Sequence, residues 1–171
     1  MEPKRLALVR HAKSSWADPD IADHDRPLNA RGRRAAALVG QHLPAAGVHP
    51  DLVLCSSATR ARQTLELFQL VPTIDVLIED QLYGAGSHEL LARVRRIPAW
   101  VSSAVLIGHN PGLEELAFLL VGSGASEDRA RMAEKFPTGA VAVVAFNADS
   151  WSAIEPGSGE LVHFLTPKRL P

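Results

Sequence analysis

The chain contains one cysteine in 171 residues, Cys55. No intramolecular disulfide can form, and a thiol directly after an apolar strand reads as buried packing, which fits a reducing, cytoplasmic setting. No apolar run approaches the roughly 20 residues that a membrane span needs, and Met1 to Arg5 lead directly into a strand without the apolar core of a signal peptide. Neither membrane insertion nor secretion is expected. Charge of one sign is also missing, because 18 Lys and Arg face 19 Asp and Glu for a net charge of −1. A nucleic-acid partner is therefore not expected. The densest basic group, Arg31, Arg33 and Arg34, falls at a helix start and reads as a solvated face. Internal repeats and low-complexity segments are absent too. Outside the strand-end histidines, His24, His42, His49, His88 and His163 have no partners at metal-ligand spacing, so no metal site is implied and these read as surface or packing residues.

What is present is ordinary globular composition, 46% hydrophobic and 22% charged, at a length that suits one domain over residues 1–171. Strand and helix alternate through the first part of the chain. Leu6 to Val9, Asp51 to Leu54, Thr73 to Ile78 and Ala104 to Ile107 read as strands. Helices are expected over Ala30 to His42, Ala58 to Leu70, Glu89 to Arg95 and Gly112 to Val121, and a polar helix over Ser126 to Lys135 with Ser126 as N-cap. Asp18 to Leu28 reads as a long loop. Ala140 to Phe146 and Leu161 to Leu165 lack a helix between them, so they form an antiparallel hairpin. The expected fold class is α/β, a three-layer α/β/α arrangement on a mixed, mostly parallel sheet with an antiparallel edge hairpin.

Three strand ends carry the chemistry: Arg10-His11-Ala12-Lys13-Ser14-Ser15-Trp16, then Cys55-Ser56-Ser57-Ala58-Thr59-Arg60-Ala61-Arg62-Gln63-Thr64, then Gly108-His109-Asn110-Pro111-Gly112. Ligands of open α/β sheets bind beyond the carboxyl ends of the strands, which is where all three motifs fall. Arginine forks grip phosphate oxygens and keep their charge, while one histidine attacks phosphorus and another donates to its oxygens. Arg10, His11, Arg60 and His109 together suit a nucleophilic histidine in a phosphate cage. A lone strand-end histidine would read as structural; the joint pattern reverses that.

With Leu8-Val9-Arg10-His11, Asp25-Arg26-Pro27-Leu28-Asn29-Ala30-Arg31-Gly32, Ser57 to Thr64 and Ile107 to Pro111 in this order, the chain resembles the histidine phosphatase superfamily. This is the group that includes the phosphoglycerate mutases, and the chain is most similar to its small phosphohistidine phosphatase branch, SixA. The resemblance implies a phosphoglycerate mutase-like fold and a hydrolase without metal or cofactor. It makes His11 the nucleophile that forms a phosphohistidine intermediate. Arg10, Arg60 and His109 complete the pocket, Arg26 adds a third cation, and Ser14, Asn110 and the backbone amides after His11 and near Asn110 add donors. Relative to the mutases, Ala12 replaces a glycine and Ala17 an asparagine.

The places where relatives keep a general acid hold Asn110 and Gly84. Loss of such an acid costs about 10²- to 10⁴-fold when an alkoxide must leave, whereas imidazole is basic enough to acquire its own proton. The expected substrate is therefore phosphohistidine on a protein or peptide, with Asp18, Asp25, Glu79 or Asp80 as loop carboxylates able to serve as acid. Long insertions that would cover the pocket are absent, which suits a protein partner. Two alternatives stand beside this reading. One is a small-molecule phosphomonoesterase acting on nucleotides or sugar phosphates; the other is a phosphate- or phosphoprotein-binding module without useful turnover.

Overall fold

Side-chain alternation along the first strand decides which layer each residue joins. In β1 (Lys4–Arg10), Leu6 and Leu8 pack into one apolar cluster and Ala7 and Val9 into another, so both faces of this strand are covered. The structure is a computed structural model that describes residues 3–171. After β1 come α1 (Ala30–His42), β2 (Leu52–Ser56), α2 (Thr59–Phe68), β3 (Asp75–Glu79), α3 (Ser87–Arg95) and β4 (Ser103–Gly108). Then follow α4 (Gly112–Leu120), β5 (Val121–Gly124), α5 (Ser126–Glu134), β6 (Val141–Phe146) and β7 (Gly159–Leu165). The cluster holding Leu6 and Leu8 includes Leu90 and Val94 of α3 and Leu113 and Leu116 of α4. The cluster holding Ala7 and Val9 includes Val39 of α1 and Ala61 and Phe68 of α2. Helices thus cover both faces of the sheet, the three-layer α/β/α arrangement expected.

The strand order is β3-β2-β4-β1-β6-β7-β5. β2 is parallel to β3 and β4, and β4 to β1, whereas β6 is antiparallel to both β1 and β7. The hairpin of β6 and β7 is present, but β5 lies outside it, parallel to β7. No local signal marks β5: it follows α4 without a turn residue and is four residues long, two of them glycines that approach neighbouring backbone. A Cβ on Gly122 would sit 2.0 Å from the Gly157 carbonyl oxygen.

Local signals account for most helix starts. Asn29 caps α1, its side chain accepting the Gly32 N–H at 2.7 Å. Ser126, expected as an N-cap, is instead the first residue of α5 and Ala125 takes the cap position without a side-chain bond. The expected first-turn acids Glu127 and Asp128 are there, and Asp128 pairs with Arg131 at 3.1 Å. Strand β3 begins two residues later than expected because Val71 to Ile74 close a turn, with the Ile74 N–H on the Val71 carbonyl.

Because β2, β4 and β1 are parallel neighbours, with Arg10 opposite Gly108 and Cys55 opposite Ile107, their carboxyl ends meet at one sheet edge. Among the described residues no helix is long and apolar enough to cross a membrane.

Candidate active site

His11 follows β1 directly, its N–H on the Gly108 carbonyl at 3.1 Å and its carbonyl accepting the Gly139 N–H at 3.0 Å. The side chain is buried at 7% exposure. Its Nδ1 lies 2.7 Å from the Ala12 carbonyl oxygen; a carbonyl only accepts, so Nδ1 carries the proton and Nε2 keeps its lone pair. Arg60 Nε donates to that Nε2 at 3.4 Å. Burial pushes the His11 pKa down to about 3, with His109, Arg60 and Arg10 adding to the effect, so the ring is neutral near pH 7.

His109 lies with its ring centroid 5.0 Å from that of His11, and its Nε2 is 2.7 Å from Ser56 Oγ. Burial, then the Arg60 charge, lowers its pKa to about 4. Arg10 is anchored by Nη1 on the Phe136 carbonyl at 3.1 Å. Its pKa is lowered by burial, against the pull of Glu114, and a guanidinium keeps its charge regardless. Two buried polar atoms of these residues, Arg10 Nε and His109 Nδ1, have no partner among the described residues. Buried polar atoms are almost always paired, so an unpaired couple at one site calls for a ligand.

Arg60, on the first turn of α2, is buried while Arg62 is exposed, the choice that the resemblance implied. Its carbonyl accepts from Thr64 Oγ1 at 2.8 Å, and that hydroxyl accepts the Ala12 N–H at 3.0 Å. One hydroxyl thereby ties the loop after His11 to the helix of Arg60. It also occupies the first backbone amide after His11, which was expected to face phosphate.

The other expected residues fall as follows. Arg26 is buried, with Nη1 on Ser14 Oγ at 2.7 Å and Nε on Asp23 at 3.0 Å; its guanidinium carbon lies 3.5 Å from the ring centroid of the exposed Trp16. Ser14 is therefore joined to a cage-side cation. Asn110 turns its amide to the Phe136 carbonyl at 3.0 Å and takes the Glu114 N–H on Oδ1, which makes it a tie between α4 and the segment anchoring Arg10. Of the loop carboxylates, Glu79 is held bidentately by Arg93 at 2.7 and 3.0 Å. Asp18 and Asp80 are exposed, and Asp25 pairs with His24 at 3.4 Å.

The carboxylate that reaches the cage is one that sequence reasoning missed, Asp23. It sits in a single 3-10 turn, Asp23–Asp25. Its carbonyl accepts Arg60 Nη1 at 2.7 Å and its Oδ2 accepts Arg60 Nη2 at 3.1 Å. The hydroxyl of Tyr83 also donates to it. That bond, with the two arginines, holds the Asp23 carboxyl well below the usual range, while the same carboxylate raises the Tyr83 pKa. Tyr83 stands edge-on to His109 at 5.4 Å and to His24 at 4.8 Å. Nothing local separated Asp23 from the aspartates around it, though Tyr83, the one tyrosine of the chain, offered a signal. Cys55 is inert, its thiol pushed up to about 12 by burial.

A neutral buried imidazole among arginines, at the carboxyl edge of a mostly parallel sheet, suits a class of α/β proteins that bind phosphoryl groups. Comparison with known proteins narrows the class. Residues 6–96 match the family described as histidine phosphatase superfamily (branch 1), and the chain belongs to that family. It is 40% identical to the uncharacterised protein Rv1276c of Mycobacterium tuberculosis over 94% of this chain and all of that one. A candidate phosphohistidine phosphatase SixA from Nakamurella multipartitia superposes with a TM-score of 0.84 at 32% identity, over 98% of each chain. A second, from Agrobacterium tumefaciens, gives 0.81 at 32% identity over 98% of this chain and 100% of that one.

Proposed function

We propose that this protein hydrolyses phosphohistidine displayed on a protein or peptide, through a covalent intermediate on His11. Its phosphatase class follows from the family; the nitrogen-bound substrate rests on one observation. The carboxylate at the cage, Asp23, is held ionised by Tyr83, Arg26 and Arg60, so it has no proton to give a leaving alkoxide. Imidazole takes its proton from solvent. The 32% identity to two candidate SixA proteins supports the same reading.

In this mechanism His11 Nε2 attacks phosphorus while Nδ1–H stays on the Ala12 carbonyl, which steadies the positive charge that the ring acquires. The bond from phosphorus to the substrate imidazole breaks, and that imidazole leaves neutral after taking one proton. Arg10, Arg60 and His109 offer the donors around the phosphoryl oxygens, and the unpaired Arg10 Nε and His109 Nδ1 gain partners. Water then attacks phospho-His11, releases inorganic phosphate and one proton, and restores the neutral ring. No step calls on a metal.

A panel of phosphohistidine peptides, nucleotides and sugar phosphates tests the reading. Wild-type enzyme is expected to prefer the phosphohistidine peptides, a chelator to leave the rate unchanged, and His11→Ala to abolish turnover and acid-labile phosphate on the protein while keeping its circular dichroism. Faster cleavage of sugar phosphates would refute the substrate, and retained turnover in His11→Ala the mechanism.

A further inference from the structure

Beside the cage lies a cavity of about 790 Å³ whose lining is dominated by one sign of charge. It is bounded by the first turns of α1, the end of α5 and the segment after β7, and carries seven Lys and Arg against a single acid, Glu134. Set against the chain's net charge of −1, this excess of six leaves −7 for the remainder of the molecule. Among the described residues, Arg131 and Arg169 have carboxylate partners. Lys13, Arg31, Arg34, Lys135 and Lys168 have none within 4.0 Å. Lys13 and Pro137–Thr138 link its lining to the cage along the chain: Lys13 is two residues from His11, and Pro137 follows the carbonyl that anchors Arg10.

The charges stand where folding would not put them. A helix N-terminus favours acids, yet α1 has no acid in its first turn and has Arg31 and Arg33 there, with Arg34 one residue on. A local preference broken without a local gain marks a functional position. Beneath the cations, Leu38, Phe164 and Pro167 supply apolar lining. Separate side chains on three segments over an apolar floor suit an extended chain better than a compact phosphate cluster, which backbone amides would cradle.

We propose that this groove docks an acidic, partly apolar segment of the polypeptide that carries the phosphohistidine, and so selects the protein substrate. This rests on the phosphohistidine reading of the cage. Charge complementarity of this kind raises the encounter rate and weakens with salt.

Three phosphohistidine peptides with acidic-apolar, neutral and basic flanks test it on wild-type enzyme and on the Arg31→Glu, Arg34→Glu, Lys168→Glu triple variant. The acidic-apolar peptide is expected to be favoured about tenfold or more in kcat/KM at low ionic strength. That advantage shrinks with added salt and disappears in the variant, while turnover of free phosphoramidate is unchanged. Equal rates across the peptides, or a preference that survives in the variant, would overturn the proposal. So would binding of inorganic triphosphate in the groove without discrimination among the peptides, which marks a small-anion site. Should no peptide be dephosphorylated, the reading of the cage fails instead. Fluorescence anisotropy of the unphosphorylated acidic peptide then decides the groove: binding lost in the variant upholds it, and absent or flank-independent binding overturns it.

Discussion

At the scale of single residues the site depends on keeping histidines neutral next to arginines. His11 and His109 are lowered to about 3 and about 4, chiefly by burial, while in the unfolded chain both titrate near 6.5. Between those values the unfolded chain binds more protons, so stability falls as the pH drops below about 6.5, by at most about 1.4 kcal/mol per pH unit for each ring. Above that pH neither ring contributes a slope. Thermal melts from pH 7 to pH 5 should show His11→Gln losing stability less steeply than wild type; parallel curves would refute the lowered pKa. Asp23 permits a second test. Its carboxylate, 3.1 Å from Arg60 Nη2, neutralises charge that a phosphate would use, whereas the backbone carbonyl keeps the fork aimed. Asp23→Asn should therefore lower the inhibition constant of inorganic phosphate about threefold or more, in keeping with a partly exposed ion pair. Weaker inhibition would mean that the carboxylate is needed to position Arg60.

At the scale of elements, the nucleophile loop is set by close approach. A Cβ on Gly32 in α1 would lie 2.0 Å from the Lys13 carbonyl oxygen, and the same carbonyl accepts the Asn29 N–H at 3.0 Å. Gly32→Ala should shift the segment after His11, reduce turnover well over tenfold by misplacing the nucleophile, and cost roughly 1–3 kcal/mol from overpacking. Activity and urea melts together check this, and wild-type turnover would show that the loop adapts. Elements with a strong apolar period were legible from the chain: β1, β2, β4, α1 and α2 fall within about two residues of expectation. The two elements that were missed share one cause. β5 and the Asp23–Asp25 turn are too short to carry a period, and partners distant in sequence hold both: β7 for the strand, Arg60 and Tyr83 for the turn.

At the scale of the whole molecule, one sheet runs from β3 to β5 with apolar clusters on both faces, and β1 belongs to both clusters. We expect residues 1–171 to unfold as one cooperative domain, with fluorescence and circular dichroism transitions coinciding in urea. Separated transitions would mean that the β6–β7–β5 side melts independently. The same scale explains the basic groove. Arg31 and Arg34 read along the chain as a solvated helix face, and they join Lys13, Lys135 and Lys168 only because α1, α5 and the end of β7 meet.

The sequence by itself determined the order of the helices and of every strand but β5, the strand ends that carry chemistry, and Arg10, His11, Arg60 and His109 as the candidate cage, because apolar periodicity and motif order are local properties of the chain. The tertiary structure alone decided the electrostatic state of that cage. The proton on His11 Nδ1, the neutrality of both imidazoles and the ionised Asp23 on Arg60 depend on burial and on partners as distant in sequence as His11 and His109. Desolvation and charge proximity are properties of three-dimensional packing, and a linear pattern does not contain them.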